Sequence, residues 1–514
     1  MKRYWILAIF AMVVLGTAAV WMGALNQDEG WYLYAANLFA DRKIPYRDFQ
    51  YTQGPLLPLV YSFFTWIWNA WGLLGARVFT LSIGLVSILV FARTAADLAP
   101  EDRRREAALI TVFLLGCNLY HLYYIAIPKT YALASLLVAL GFRLLVKGIS
   151  LHNSSLFILN SSLFFAGLSL AFAAGARISL GAILCVVGCW FLFRREWRNL
   201  VWFCVGGFLG LGIVYGPYLV DQAALAGLLA AQKYHAARGG FDPVFTVGSL
   251  SRLVRWYLPV FIVLGLGLGK CLVHSAVVPS ANKDDSSSAA PGTRHQALGT
   301  NLLSLSFLAV FVVQMLAPFP YEDYQVPIMG LLAVFAAVAL IRKVDVPSFD
   351  FDSRLRLLLV FGLAYACAFG SPLLQEWMVN GQDRFWSLKK QKTELAQLRD
   401  VAETIEALDP GGKTLLTQDL YLAIETGRKV PEGLEMGPFA MLSDEQWKTL
   451  LGECDCEIAA LSGYTFAIEP PRCDARPMDR QMEYWDILRR RYEFVVREDD
   501  FGQNATPLLI LKRK

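Results

Sequence analysis

The chain has 514 residues, 56% of them hydrophobic, 13% aromatic and only 18% charged, with a net charge of +4. At this length such a composition excludes an ordinary soluble globular protein, because the surplus of apolar side chains has to face lipid. The small net charge comes with no basic stripe of the kind that nucleic-acid binding requires.

Lys2 and Arg3 precede an apolar run, Tyr4 to Leu25. The run is too long for a signal-peptide core and lacks a small-residue cleavage site after it, so it reads as an uncleaved first span. Crossing a bilayer core takes roughly 20 helical residues. Stretches of about that length are predicted near 4–25, 74–96, 107–126, 130–147, 156–174, 177–193, 200–220, 256–273, 298–317, 326–341 and 355–373, about eleven spans in all. Lys and Arg in the short connections (Arg103 to Arg105, Arg194, Arg195, Arg342, Lys343) predict a cytoplasmic N-terminus. An odd number of spans then puts Leu374–Lys514 outside.

Two of the predicted outside loops are long. Asn26–Gly75 carries the amphipathic stretches Trp31–Ala40 and Leu56–Trp71, which are expected to lie along the membrane interface. Asp221–Arg255 is expected to do the same, and its Lys233, His235 and Arg238 are candidates for a phosphate or for anionic headgroups. Ser280–Arg294 is polar and low in complexity and reads as a disordered cytoplasmic linker.

After residue 373 the pattern changes. Ser387–Leu408 reads as a polar helix stopped by Asp409-Pro410-Gly411-Gly412. Lys413–Gln418 and Glu457–Leu461 read as short buried strands, Asp479–Tyr492 as a helix, and Glu493–Glu498 and Pro507–Lys512 as further strands. The expected fold class is therefore a mainly α polytopic membrane protein, residues 1–373, followed by a small extracytoplasmic α/β domain, residues 374–514. Six cysteines lie in apolar stretches and read as small buried hydrophobes. In the tail, Cys473 can pair with Cys454 or Cys456 if the compartment is oxidising.

The chemistry-bearing stretch is Asp28-Glu29-Gly30-Trp31-Tyr32, directly after the first span. Ionisable groups at a membrane edge are costly and mark function by default. Asp28 is a candidate general base; Glu29, pointing to another side of the same turn, can pair with a cation or orient the acceptor. Acids in the first turn of a helix also stabilise its positive end, which is the structural alternative for both. Later in the loop Tyr46-Arg47-Asp48-Phe49 and Tyr51-Thr52-Gln53-Gly54-Pro55 bring aromatic, cationic and amide groups to the same surface. Aromatic faces suit sugar rings and Arg47 suits a phosphate; an interfacial aromatic belt is the plainer reading for the rings. Glu322 and Asp323, between Tyr321 and Tyr324, are a second acid pair at a membrane edge. They can bind sugar hydroxyls or a divalent cation, the candidate cofactor, or can be solvated loop residues.

With an Asp-Glu pair after the first span, an aromatic just beyond it, Pro45-Tyr46-Arg47-Asp48-Phe49, and Gln53-Gly54-Pro55-Leu56 before the next membrane segment, the chain resembles the polytopic GT-C glycosyltransferases. In particular it resembles bacterial family 39-like enzymes, relatives of protein O-mannosyltransferases and lipid A aminoarabinose transferases. The resemblance covers residues 1–373 and includes Ala166-Gly167-Leu168-Ser169 through Arg177 and Pro318–Pro327. It implies a sugar donor on a polyprenyl phosphate, inverting transfer to a glycan, lipid or protein acceptor on the outer face, and Asp28 as the base that activates the acceptor hydroxyl. It makes Tyr32, Tyr51, Gln53 and Tyr324 candidate substrate contacts. The chain departs from the aminoarabinose group at Ile127-Pro128-Lys129-Thr130-Tyr131, where it supplies a cation and no acid. Lys129, with Arg177, is then a candidate for the lipid phosphate. The alternatives are a lipid or solute transporter, which would show mid-span charges and an internal repeat, and a non-catalytic scaffold relative.

Overall fold

The computed structural model describes residues 1–150, 156–237, 240–277, 291–342, 352–378, 392–463, 478–503 and 505–514. The chain opens with helix α1 (Lys2–Met22), whose outer face leaves Ile6, Phe10 and Val13 exposed. Apolar faces like this are what lipid contact requires. A short link leads to α2 (Gln27–Ala40), then α3 (Leu56–Ser62) and the long α4 (Thr65–Leu98), interrupted at Gly72 where φ is 60°. The N–H of Leu73, freed by this break, donates to Glu425 at 2.7 Å.

Helices α5 (Arg104–Gly116) and α6 (Leu119–Ala126) meet at 72°. The predicted span 107–126 is therefore not straight. Asn118 ends one helix and starts the next, its side chain accepting from the His121 N–H at 3.0 Å. Next come α7 (Thr130–Ser150), α8 (Leu156–Ala176), α9 (Gly181–Phe193) and α10 (Trp197–Val220). The second long loop is mostly helical in its described part: α11 (Gln222–Ala237) and α12 (Pro243–Trp256), the latter turning 80° into α13 (Leu258–Val277). The side chain of His235, like Arg238, lies outside what is described. Of the expected linker, residues 280–290 also lie outside the described residues, while 291–294 open α14 (Pro291–Met315). Helices α15 (Val326–Ile341) and α16 (Ser353–Met378) complete the bundle.

The stretches predicted to span the membrane are helical over most of their length, with breaks inside 107–126 and at the start of 256–273. Among the described residues, five helices are long and apolar enough to cross a bilayer, or up to seven if each bent pair is one span. Three shorter apolar helices, Asn160–Ala176, Ile178–Phe193 and Gly299–Met315, lie beside them.

The C-terminal part contains α17 (Glu394–Leu408), α18 (Leu420–Thr426), α19 (Asp444–Glu453), β1 (Ile458–Ser462), α20 (Met478–Arg491), β2 (Tyr492–Phe501) and β3 (Thr506–Arg513). The strands form an antiparallel sheet in the order β1-β3-β2. The expected strand at 413–418 is reduced to single bridges, Thr414 with Lys429 and Leu416 with Ala459. Cys473 lies outside the described residues, and the pairing expected of it lies there too.

This part does not hang free of the bundle. Helix α2, expected along the membrane interface, is covered by α18 at Gly30, and its Trp31 and Tyr32 are buried. The contact is backbone to backbone at Gly30, where an added Cβ would fall 2.1 Å from the Tyr421 nitrogen. Polar bonds pin the same junction: Leu25 N–H to Glu394 at 2.6 Å, Gln27 N–H to Gln503 at 2.8 Å and the Gln27 amide to Asp419 at 2.7 Å.

Candidate active site

Four chain segments at one end of the bundle converge on a single cluster. Asn26 starts α2: its side chain accepts the Asp28 N–H at 3.0 Å, and Glu29 reaches back to the Asn26 N–H at 2.9 Å, a reciprocal capping box. The capping alternative is therefore part of the answer, and it fixes the direction of both acids.

Glu29 points inward. Its carboxylate takes two bonds from Arg77, Nε at 2.7 Å and Nη2 at 2.6 Å, and both side chains are fully buried. Arg77 gives its other donors to the carbonyls of Val20, Gly23 and Ala24 at 2.8–3.0 Å, satisfying the end of α1. Of the two tasks expected of Glu29, the structure gives it the pairing with a cation. It ties α1, α2 and α4 together and has no partner among substrate-facing groups.

Asp28 points the other way and stays 23% exposed. Its Oδ1 accepts from the Trp31 indole at 3.0 Å, and its Oδ2 lies 2.8 Å from the Nζ of Lys129, in the link between α6 and α7. The same Nζ lies 3.0 Å from Oδ2 of Asp323, in the short 3-10 turn Glu322–Gln325 before α15. Asp323 also accepts the Tyr131 hydroxyl at 2.6 Å. Burial works against ionisation of Asp28, but the ammonium of Lys129, the Trp31 N–H and the more distant Arg177 outweigh it, and its pKa falls below the ordinary 3.8.

Arg177 follows α8. It donates to the Thr130 hydroxyl at 3.3 Å, and its guanidinium lies 4.8 Å from the ring centres of both Tyr131 and Tyr324. A cation held between two aromatic faces keeps its charge while its edges remain directed by the rings. Loop one reaches this end of α8 through Gly54, where a Cβ would lie 2.1 Å from the Gly175 carbonyl oxygen.

The remaining predicted residues separate into two groups. Tyr32 stacks on Trp31 at 3.9 Å, and Tyr51 meets the edges of both at 5.4 and 6.5 Å, forming an aromatic wall behind Asp28. Gln53 contributes its backbone carbonyl to the Tyr46 hydroxyl. Arg47, expected to meet a phosphate, is engaged by Asp48 at 2.8 Å and Asp221 at 3.3 Å on the surface. Glu322 pairs with Arg252 of α12 at 3.0 Å. The divalent cation considered for Glu322 and Asp323 thus finds one carboxylate on an arginine and the other on a lysine and a tyrosine. Among the described residues no group of three or more His, Cys, Asp or Glu side chains can hold a metal ion.

The sequence reading had no role for Arg77, Trp31, Thr130 or Tyr131. Arg77 was detectable, as a lone guanidinium inside an apolar span. Tyr131 gave no signal beyond its neighbourhood to Lys129.

No family model and no curated protein matches the chain. Solved structures do. ArnT from Cupriavidus metallidurans bound to undecaprenyl phosphate aligns with a TM-score of 0.62 at 14% identity, covering 99% of this chain and 98% of that one. The two chains share one fold over nearly their whole lengths. The apo form of the same ArnT aligns at a TM-score of 0.57 and 15% identity, with the same coverage. The archaeal oligosaccharyltransferase AglB from Archaeoglobus fulgidus, in complex with an inhibitory peptide and a dolichol-phosphate, aligns at 0.51 and 10% identity, over 90% of this chain and 70% of that one. Asp28 follows α1 in the first turn of α2, Lys129 precedes α7, Arg177 follows α8 and Asp323 precedes α15, so the four stand at or between helix ends at one end of the bundle.

Proposed function

We propose that this protein is a membrane glycosyltransferase that moves a sugar from a polyprenyl-phosphate-linked donor to an acceptor hydroxyl, with inversion, using Asp28 as general base. The observation that carries the reading is the convergence of an accessible, ionised carboxylate with Lys129 and Arg177. A base for the acceptor and cations for a leaving phosphate stand side by side. The bound undecaprenyl phosphate and dolichol-phosphate of the similar structures support a donor of that class.

In a single displacement the acceptor oxygen attacks the anomeric carbon and its proton passes to Asp28. The carbon–oxygen bond to phosphate breaks, and polyprenyl phosphate departs. General-base catalysis contributes about 10²–10⁴-fold. Arg177, with one N–H of Lys129 beyond the two that face carboxylates, neutralises charge growing on the leaving phosphate. A phosphate near Lys129 also loosens that lysine's hold on Asp28 and so raises the basicity of the carboxylate once donor is bound. Tyr32 and Tyr51 offer ring faces for the sugar, Tyr324 orients Arg177, Gln53 sits at the loop's edge, and Glu29 with Arg77 positions Asp28. The site faces outward in the membrane if the N-terminus is cytoplasmic, as the distribution of Lys and Arg supports, and the C-terminal α/β part, residues 374–514, then lies outside over it.

The test is Asp28→Asn in purified protein, assayed with polyprenyl-phosphate sugars. Transfer is expected to fall at least 100-fold, with folding and membrane insertion unchanged. Full activity in this variant removes Asp28 from the reaction.

A further inference from the structure

A bridging cation between two carboxylates is the ordinary place for Mg²⁺ or Mn²⁺ in a site that handles phosphate. Here that place is taken. The Nζ of Lys129 sits between Asp28 Oδ2 and Asp323 Oδ2, at 2.8 and 3.0 Å, and is almost fully buried. Several oxygens of these carboxylates and of neighbouring Glu322 also accept hydrogen bonds. Asp28 Oδ1 accepts from Trp31, Asp323 Oδ2 accepts from Tyr131, and Glu322 Oε1 accepts from Arg252. A divalent ion entering between Asp28 and Asp323 would have to expel a buried ammonium that, among the described residues, has no other carboxylate partner.

We propose that Lys129 is the resident cation of this site: its tethered ammonium bridges Asp28 and Asp323 in place of a divalent metal ion, and removing it opens a metal site between the two carboxylates. The assignment deepens the glycosyl-transfer reading and rests on it for its catalytic consequence, but the metal-binding part stands on the geometry alone. A lysine brings one positive charge where a metal would bring two. It cannot accept ligands from the acceptor, so it holds the two loops in register and screens Asp28 from Asp323 without competing for the hydroxyl that Asp28 deprotonates. Its ammonium also lies 4.8 Å from the centre of the Tyr131 ring and 5.8 Å from that of Tyr124. These rings help to hold the ammonium between the two carboxylates when no donor is bound.

The experiment measures Mn²⁺ binding to the full-length protein in detergent by electron paramagnetic resonance, alongside transfer in EDTA or added Mn²⁺. Wild type is expected to bind no Mn²⁺ at the site and to keep its activity in EDTA within twofold. Lys129→Ala is expected to bind one Mn²⁺, lost again in Lys129→Ala/Asp323→Asn, and to regain at least tenfold of its lost transfer when Mn²⁺ is supplied. Lys129→Met, which keeps most of the stem without the charge, serves if the alanine variant does not fold. Mn²⁺ bound by wild type and lost in Asp323→Asn would overturn the assignment, as would wild-type activity abolished by EDTA or Lys129 variants that bind no metal. Because the resonance signal needs no turnover, an inactive wild type would count against the transferase reading and leave the metal arm to decide this one.

Discussion

Glu29 and Arg77 form a fully buried, two-bond ion pair that joins the first turn of α2 to the middle of α4. The pair sits one residue away from the proposed base and sets its direction, since the turn that buries Glu29 turns Asp28 out. Removing one partner leaves an uncompensated charge in a dry interior, which costs about 3–5 kcal/mol. Arg77→Met or Glu29→Gln is expected to lower the thermal midpoint of the purified protein markedly. The paired change Glu29→Leu/Arg77→Met should recover part of that loss, because it leaves no orphan charge. An unshifted midpoint in both single variants would show that the pair does not hold this corner together.

The ionisation of Asp28 gives a prediction about pH. An acid whose folded pKa is depressed contributes stability above its unfolded value, near 3.8, and loses it as pH falls through the lower folded value. The Asp28–Lys129 pair is therefore intact throughout the neutral range. The acid limb of kcat/KM due to Asp28 should lie below pH 3.8. In Lys129→Met burial is opposed only by the Trp31 N–H and the more distant Arg177, and the acid limb of the residual activity should move upward. A wild-type inflection near neutrality that disappears in Asp28→Asn would contradict this ordering.

Arg177 offers a sharper discrimination between charge and shape. Its guanidinium lies between the rings of Tyr131 and Tyr324, both at 4.8 Å, and lysine cannot reproduce a planar group stacked on two faces. Arg177→Lys is expected to raise the KM for the lipid-linked donor at least tenfold, with the KM for acceptor little changed. Steady-state kinetics with each substrate varied in turn measures this. Equal effects on both would place Arg177 away from the donor phosphate.

Much of this site was legible from residue order, and the unreadable parts have identifiable physical causes. Apolar periodicity located the helices because each must cover its own backbone in lipid. Asp28, Lys129, Arg177 and Asp323 stood out because charge at a membrane edge is expensive. What sequence could not show is which acid of Asp28-Glu29 faces the site, since that depends on a guanidinium 48 residues away. Nor could it show that Asp221 and Asp48 would occupy Arg47. Nor could it show that α2 would be covered by α18, nearly 400 residues later. The strand at 413–418 failed for a related reason: it pairs with the sheet at a single position, and its other polar groups are used in loop contacts.

The last prediction concerns that covering. Gly30 on α2 touches the α18 backbone, and a Cβ there would fall 2.1 Å from the Tyr421 nitrogen and 2.5 Å from the Leu420 carbonyl carbon. Neither backbone can yield without moving its helix, so Gly30→Ala should cost about 1–3 kcal/mol through overpacking. The cost should appear locally, as loss of the Gln27–Asp419 and Leu25–Glu394 bonds that bracket the turn carrying Asp28. The expected result is faster tryptic cleavage within residues 392–514 and transfer reduced about tenfold, the loss that about 1.4 kcal/mol of misplaced geometry produces. Gly452→Ala, on α19 with open space around it, is the control and should change neither. If Gly30→Ala resisted trypsin as wild type does and kept its activity, the closeness of α18 to the site would be packing without consequence for catalysis.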